Sequence, residues 1–156
     1  MKKVNLLSTA KAVLTFIIFA GILTACSNST SSEEDEHEPV GFVIYQGSDQ
    51  VISKNLNDNT TASLSISANA SIQYRVAFLD LEGDVFTPEK DEHSLRFETT
   101  DGTGSISVRQ ENSGEPFLFT LSGNNAGEAS FSFELLHVGS AEFGPATVSV
   151  TITSSN

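Results

Sequence analysis

"FTLSGNNAGEASFSFEL", residues 119–135, decides how this chain folds. Phe119 and Leu121, then Ala129, Phe131, Phe133 and Leu135, take every second position, with Thr, Ser or Glu between them. A period of two puts the apolar set on one face of an extended strand and the polar set on the other, as a half-buried β-strand requires. Between the two runs stands Ser122-Gly123-Asn124-Asn125, whose Gly and Asn tolerate positive φ or hydrogen-bond their own backbone. The stretch therefore predicts strand, turn, strand.

The same pattern extends in both directions. "SLSIS" (63–67), "SIQYRVAF" (71–78), "SLRFE" (94–98), "SISV" (105–108), "FLFTL" (117–121), "SFSFEL" (130–135) and "TVSVTIT" (147–153) all alternate, and "GFVIYQ" (41–46) and "QVIS" (50–53) do so less cleanly. Turn clusters separate them: Gly47-Ser48-Asp49, Asn57-Asp58-Asn59, Glu82-Gly83-Asp84, Asp101-Gly102 and Asn112-Ser113-Gly114. Nothing after Pro39 sustains a 3.6-residue period. About eight or nine short strands at this spacing predict an all-β fold, an antiparallel two-sheet sandwich. The alternation also names its filling: Phe42, Leu64, Ile66, Ile72, Tyr74, Val76, Phe78, Leu95, Phe97, Ile106, Val108, Phe119, Leu121, Phe131, Phe133, Leu135, Val148, Val150 and Ile152.

At Leu121, Gly123, Ala126, Gly127, Ala129, Phe131 and Phe133 the opening stretch resembles the final hairpin of bacterial Ig-like domains. The resemblance implies an Ig-like sandwich serving as spacer, adhesin module or carbohydrate-facing module, and the fold does not choose among these. With one Cys and no Trp, the antibody-type Cys-Trp-Cys core is excluded.

The chain begins differently. "MKKVNLLSTAKAVLTFIIFAGILTAC" carries Lys2, Lys3 and Lys11 ahead of a 14-residue uncharged run, residues 12–25. A bilayer-spanning helix needs about 20 residues, so the run reads as a secretory signal peptide rather than a retained anchor. Leu23-Thr24-Ala25-Cys26 resembles the lipobox of bacterial lipoproteins: aliphatic, small, Gly/Ala/Ser, Cys. That resemblance implies cleavage before Cys26, diacylation of its thiol, usually acylation of the new amino terminus, and attachment to a membrane through lipid. Two or three acyl chains hold a protein there without a spanning helix. Ser27 after the cysteine resembles the outer-membrane sorting of diderm lipoproteins, and the acids that follow are similar to the surface-export tags of Bacteroidota. The implied location is the outer membrane, periplasm-facing or at the cell surface.

"SNSTSSEEDEHEP" follows, with five acids among residues 33–38. Small polar residues and mutually repelling charges make it a disordered tether. The expected organisation is residues 1–25 signal peptide, 26–38 lipidated Cys and acidic linker, and 39–156 sandwich domain. From Cys26 onward, 5 Lys+Arg minus 20 Asp+Glu gives a net charge of −15. Such a surface repels phosphate backbones and excludes nucleic acid as a partner. Protein, glycan or cationic partners remain, and the domain is expected to be a monomer.

Catalysis needs a nucleophile beside a base, and the chain has three histidines: His37 in the tether, His93 after Asp91-Glu92, and His137 closing "FELLH". No nucleophile elbow, helical His pair or phosphate loop accompanies them, so a non-enzymatic protein without cofactor is expected, with no catalytic residue. Metal binding is the alternative, through an acidic turn or through the two domain histidines, His93 and His137. "DLEGD" places Asp80, Glu82 and Asp84 at alternate positions, a calcium-loop arrangement, but its Gly falls fourth rather than sixth. A hairpin turn with solvated acids fits better. In "LLHVGSAEFGP" (135–145), read as the loop between the last two strands, His137 and Glu142 are candidate ligands for zinc or a similar ion, and Phe143 is expected to plug the sandwich end. If that loop protruded, an enzyme inhibitor would be a further reading.

Overall fold

The computed structural model describes residues 37–111 and 114–155, and among these every regular element is a strand. The expected signal peptide, lipobox and Cys26, and the acidic run up to residue 36, lie outside the described residues. Ten strands follow in chain order: β1 (Gly41–Gln46), β2 (Asp49–Asn55), β3 (Ala62–Ser67), β4 (Ser71–Leu79), β5 (Val85–Phe86), β6 (His93–Asp101), β7 (Ser105–Gln110), β8 (Leu118–Asn125), β9 (Gly127–His137) and β10 (Ser140–Thr153). All nine expected strands are present, and β5, two residues long, is additional. Two residues are too few to show a period.

The chain is an all-β, Ig-like sandwich of two sheets. One runs β2-β1-β4-β8-β7 with β5 on β4, the other β3-β10-β9-β6. Connections cross repeatedly between the sheets, so their inward rows meet in one core that includes Phe42, Phe78, Phe119, Phe131 and Phe133. Seven of the nine phenylalanines among the described residues are buried. Each fully buried large apolar side chain contributes about 1.5–3 kcal/mol, which lets Phe supply the bulk that Trp supplies elsewhere.

Three features depart from the expected plan. β3 pairs parallel to β10, with Ala62 opposite Val148, Leu64 opposite Val150 and Ile66 opposite Ile152. Parallel or antiparallel, that register keeps β3's apolar row facing inward, so the alternation did not distinguish them. Ile72, Phe97 and Val108 are only partly buried against the core, whereas Ile44, Ile52, Phe117 and Phe143, absent from the alternating set, belong to it. Finally, β1 and β4 are buried on both faces where Val43 lies opposite Ala77, at 1% and 0% exposure. Burial on both faces explains why "GFVIYQ" is nearly continuously apolar.

The opening stretch is not a hairpin. Ser122, Gly123, Asn124 and Asn125 continue β8, and the chain leaves one sheet at Ala126-Gly127 to enter the other as β9. Gly127 has φ +137°, and a Cβ there would meet the Thr103 carbonyl carbon at 2.5 Å and the backbone of Gly104. Only glycine fits. Conversely, residues 135–145 are not a loop: β9 and β10 join through the two-residue turn Val138-Gly139, both at positive φ, as a type I′ hairpin requires.

Candidate functional site

The β9–β10 hairpin and β6 build one cluster. Along β6 the inward row runs from Phe97 to Leu95 to His93, and along β9 from Phe133 to Leu135 to His137. His93 lies directly opposite His137 in the ladder. Both apolar rows thus end in a histidine at the same rim of the sandwich. The third member comes from β10, where the register slips between Ala141 and Phe143 and leaves Glu142 as the extra residue. That bulge drives Phe143 inward to 4% exposure, edge-on to Phe78 at 5.4 Å, so it plugs the end as expected. Glu142 is left beside His93.

The imidazole rings of His93 and His137 stack with centroids 4.6 Å apart and planes 11° from parallel. His93 Nδ1 is 2.9 Å from the Glu89 carbonyl oxygen, which can only accept, so Nδ1 carries the proton. Its Nε2 faces Glu142 Oε2 at 3.2 Å. His137 Nε2 faces Glu92 Oε2 at 3.2 Å, and the Val138 N–H donates to the Glu92 carbonyl at 2.9 Å, tying the hairpin to the segment before β6. The His93 side chain is 14% exposed and that of His137 47%. Beside His93 lies a cleft of about 500 Å³ lined by Lys90, Asp91, Glu92, His93, Ser94, Gln110 and Pro116.

Among the described residues, His93, His137 and Glu142 are the group of His, Cys, Asp or Glu whose ligand atoms lie within 4.8 Å of one another. His137 and Glu142, singled out from sequence, are brought together; His93, which the sequence offered as a base and, with His137, as a metal ligand, completes them. Continuing each alternating row one step past Leu95 and Leu135 was the signal for the His pair. Glu142 needed the bulge, which leaves no trace in hydropathy.

Asp80, Glu82 and Asp84 are not such a group. Asp80 is 4% exposed rather than solvated. Its Oδ1 accepts the Asp84 N–H at 2.8 Å, its Oδ2 faces His37 Nδ1 at 2.8 Å, and its carbonyl accepts the Gly83 N–H at 3.1 Å. Burial pushes the Asp80 carboxyl up, but the Asp84 backbone hydrogen bond, the His37 hydrogen bond and charge, and a backbone contact with Glu82 together hold it below its ordinary value. Its carboxylate caps the β4–β5 turn, while Glu82 and Asp84 point to solvent. His37, expected in the tether, pairs with Asp80 and stacks on Phe86 at 5.0 Å, which supplies the buried carboxylate with a partner.

No family model matches this chain, and no curated protein matches it. Among solved structures it is similar to domains 4 and 5 of the S-layer protein SbsC, at 17% identity over 74% of this chain and 66% of that one, TM-score 0.39. It is also similar to SbsC domains 1–6, at 16% identity over 76% of this chain and 17% of that one, TM-score 0.40. The filamin domain of Lin-41 matches at 14% identity over 60% of this chain and 87% of that one, TM-score 0.28. The chain thus spans less than two thirds of either S-layer chain. Likenesses this distant carry no argument about activity, and the fold assignment rests on the strand pairing itself.

Proposed function

We infer that this chain is a lipid-anchored protein of the bacterial cell envelope, with a non-enzymatic binding, adhesion or accessory role. The observation that carries the reading is the sequence Leu23-Thr24-Ala25-Cys26, which closes the uncharged run of residues 12–25 with the only cysteine, behind a basic start. Acylated Cys26 would be the attachment point, and the acidic run between it and the ordered sandwich at His37 would hold the domain off the membrane surface. The outer membrane is the proposed location, facing the periplasm or displayed outside. Tethering raises the local concentration of whatever the domain touches, so a weak protein or glycan ligand suffices.

The contacts of the histidines support a non-enzymatic role. His37, His93 and His137 face Asp80, Glu142 with the Glu89 carbonyl, and Glu92. Their partners are carboxylates and a carbonyl rather than the hydroxyl of a nucleophile. To test the anchor, the full chain is expressed in a diderm bacterium fed labelled palmitate. Label in the membrane fraction that disappears in Cys26→Ser supports the reading. An unlabelled chain recovered entirely in the soluble periplasmic fraction refutes it.

A further inference from the structure

We propose that His93, His137 and Glu142 form a binding site for one divalent transition-metal ion of the zinc class, with one coordination position left open. Two imidazoles and a carboxylate are a zinc, copper or nickel donor set, whereas calcium and magnesium take oxygen.

The hydrogen bonds around the cluster orient it for this. His93 donates its Nδ1 proton to the Glu89 carbonyl at 2.9 Å, which leaves Nε2 as the lone-pair nitrogen, with Glu142 Oε2 3.2 Å away. An imidazole lone pair and a carboxylate oxygen this close repel each other, and a proton or a cation shared by the two relieves that repulsion. On the other ring, Glu92 sits at Nε2, and a proton donated there leaves Nδ1 as the lone-pair nitrogen of His137. Each imidazole is thus held from behind, one by a carbonyl and one by a carboxylate, as metal-bound histidines are.

Distances fit with one adjustment. Bonds of about 2.0–2.1 Å in a tetrahedron place ligand atoms about 3.3–3.5 Å apart. The His93–Glu142 edge at 3.2 Å is already there, and the whole group lies within 4.8 Å. Because the two rings are nearly parallel, their in-plane lone pairs do not converge, and His137 must turn to complete the set. Its side chain is 47% exposed at a strand end, so it has room to turn. Three ligands leave a tetrahedral ion one position short, which a water or an external donor would fill, and two of the three ligands, His137 and Glu142, are exposed.

The test is calorimetric titration of the full chain with zinc chloride near pH 7.5. One equivalent should bind with a rise in melting temperature, and His137→Ala, Glu142→Gln and His93→Ala should each weaken binding at least tenfold, whereas His37→Ala should not. Circular dichroism identifies any variant that fails to fold, and the exposed His137 keeps the test available if His93→Ala does. Copper(II) electron paramagnetic resonance should show two equivalent-type nitrogen couplings, reduced to one in His137→Ala. Absence of heat and of any melting shift at millimolar zinc would mean that a proton alone bridges His93 and Glu142, and it overturns the proposal. So do an equal response to calcium and zinc binding that survives His137→Ala.

Discussion

β9 begins at a glycine of positive φ, Gly127, and the turn that follows it holds another, Gly139, and the two glycines do opposite things. At Ala126-Gly127 the chain leaves one sheet for the other; at Val138-Gly139 it doubles back within the same sheet. The corner at Gly127 is clamped to the 102–104 segment, which crosses between the sheets in the opposite sense: Gly104 donates to the Glu128 carbonyl at 3.0 Å, and the Glu128 N–H donates to Thr103 Oγ1 at 2.9 Å. At Gly139 an added Cβ meets nothing within 4 Å. One turn is packed against the fold around its glycine, while the other has open space at Gly139 and is held through Val138 to the Glu92 carbonyl, beside His137.

Gly127→Ala is the hardest blow to that contrast. Both the φ of +137° and the clash with Thr103 and Gly104 oppose a side chain, so a loss on the order of 3 kcal/mol or more is expected from denaturant unfolding. If Gly127→Ala unfolds at the wild-type midpoint, the corner is not clamped as described. Phe143→Ala follows, at about 3 kcal/mol, because it empties the ring's place against Phe78. It should also loosen the bulge that sets Glu142 beside His93.

At the free turn the effects shrink. Gly139→Ala should cost only about 1–2 kcal/mol, the penalty of left-handed backbone without a clash. Val138, β-branched at φ +48° and 77% exposed, is the poorer residue for its place, and Val138→Asn should stabilise by up to about 1 kcal/mol. A third turn, capped by Asp80, shows its worth only in acid. Since folding holds that carboxyl below its ordinary value, its contribution is complete above about pH 4 and is lost as pH falls through the lower folded value. Thermal melts of Asp80→Asn and wild type should therefore converge on acidification, and a gap independent of pH would count against the cap.

The reading of the two turns also shows what hydropathy carries. Phe119, Leu121, Ala129, Phe131 and Phe133 all face the core, yet the first two belong to one sheet and the others to the opposite one. A period of two identifies a buried face without naming the sheet that bears it. The same limit hid the hairpin at 138–139, where Val in place of Asn removed the usual turn signal and the 135–145 stretch looked like a loop. Of the cluster, His137 and Glu142 were legible as candidates because they are ligand types in one short stretch. His93 is 44 positions from His137 in sequence and meets it only through the β6–β9 register.

By itself, the sequence determined the all-β class, the positions of nine strands and most of the inward-facing residues. These are local properties: alternation and turn chemistry act within a few positions of one another. Only the tertiary structure decided that residues 119–135 span both sheets, that β3 runs parallel to β10, that Asp80 is a buried cap on the β4–β5 turn, and that two histidines and a glutamate from three strands share one rim. Each depends on which strands become neighbours, and that is set by how two apolar faces close on each other, not by either face alone.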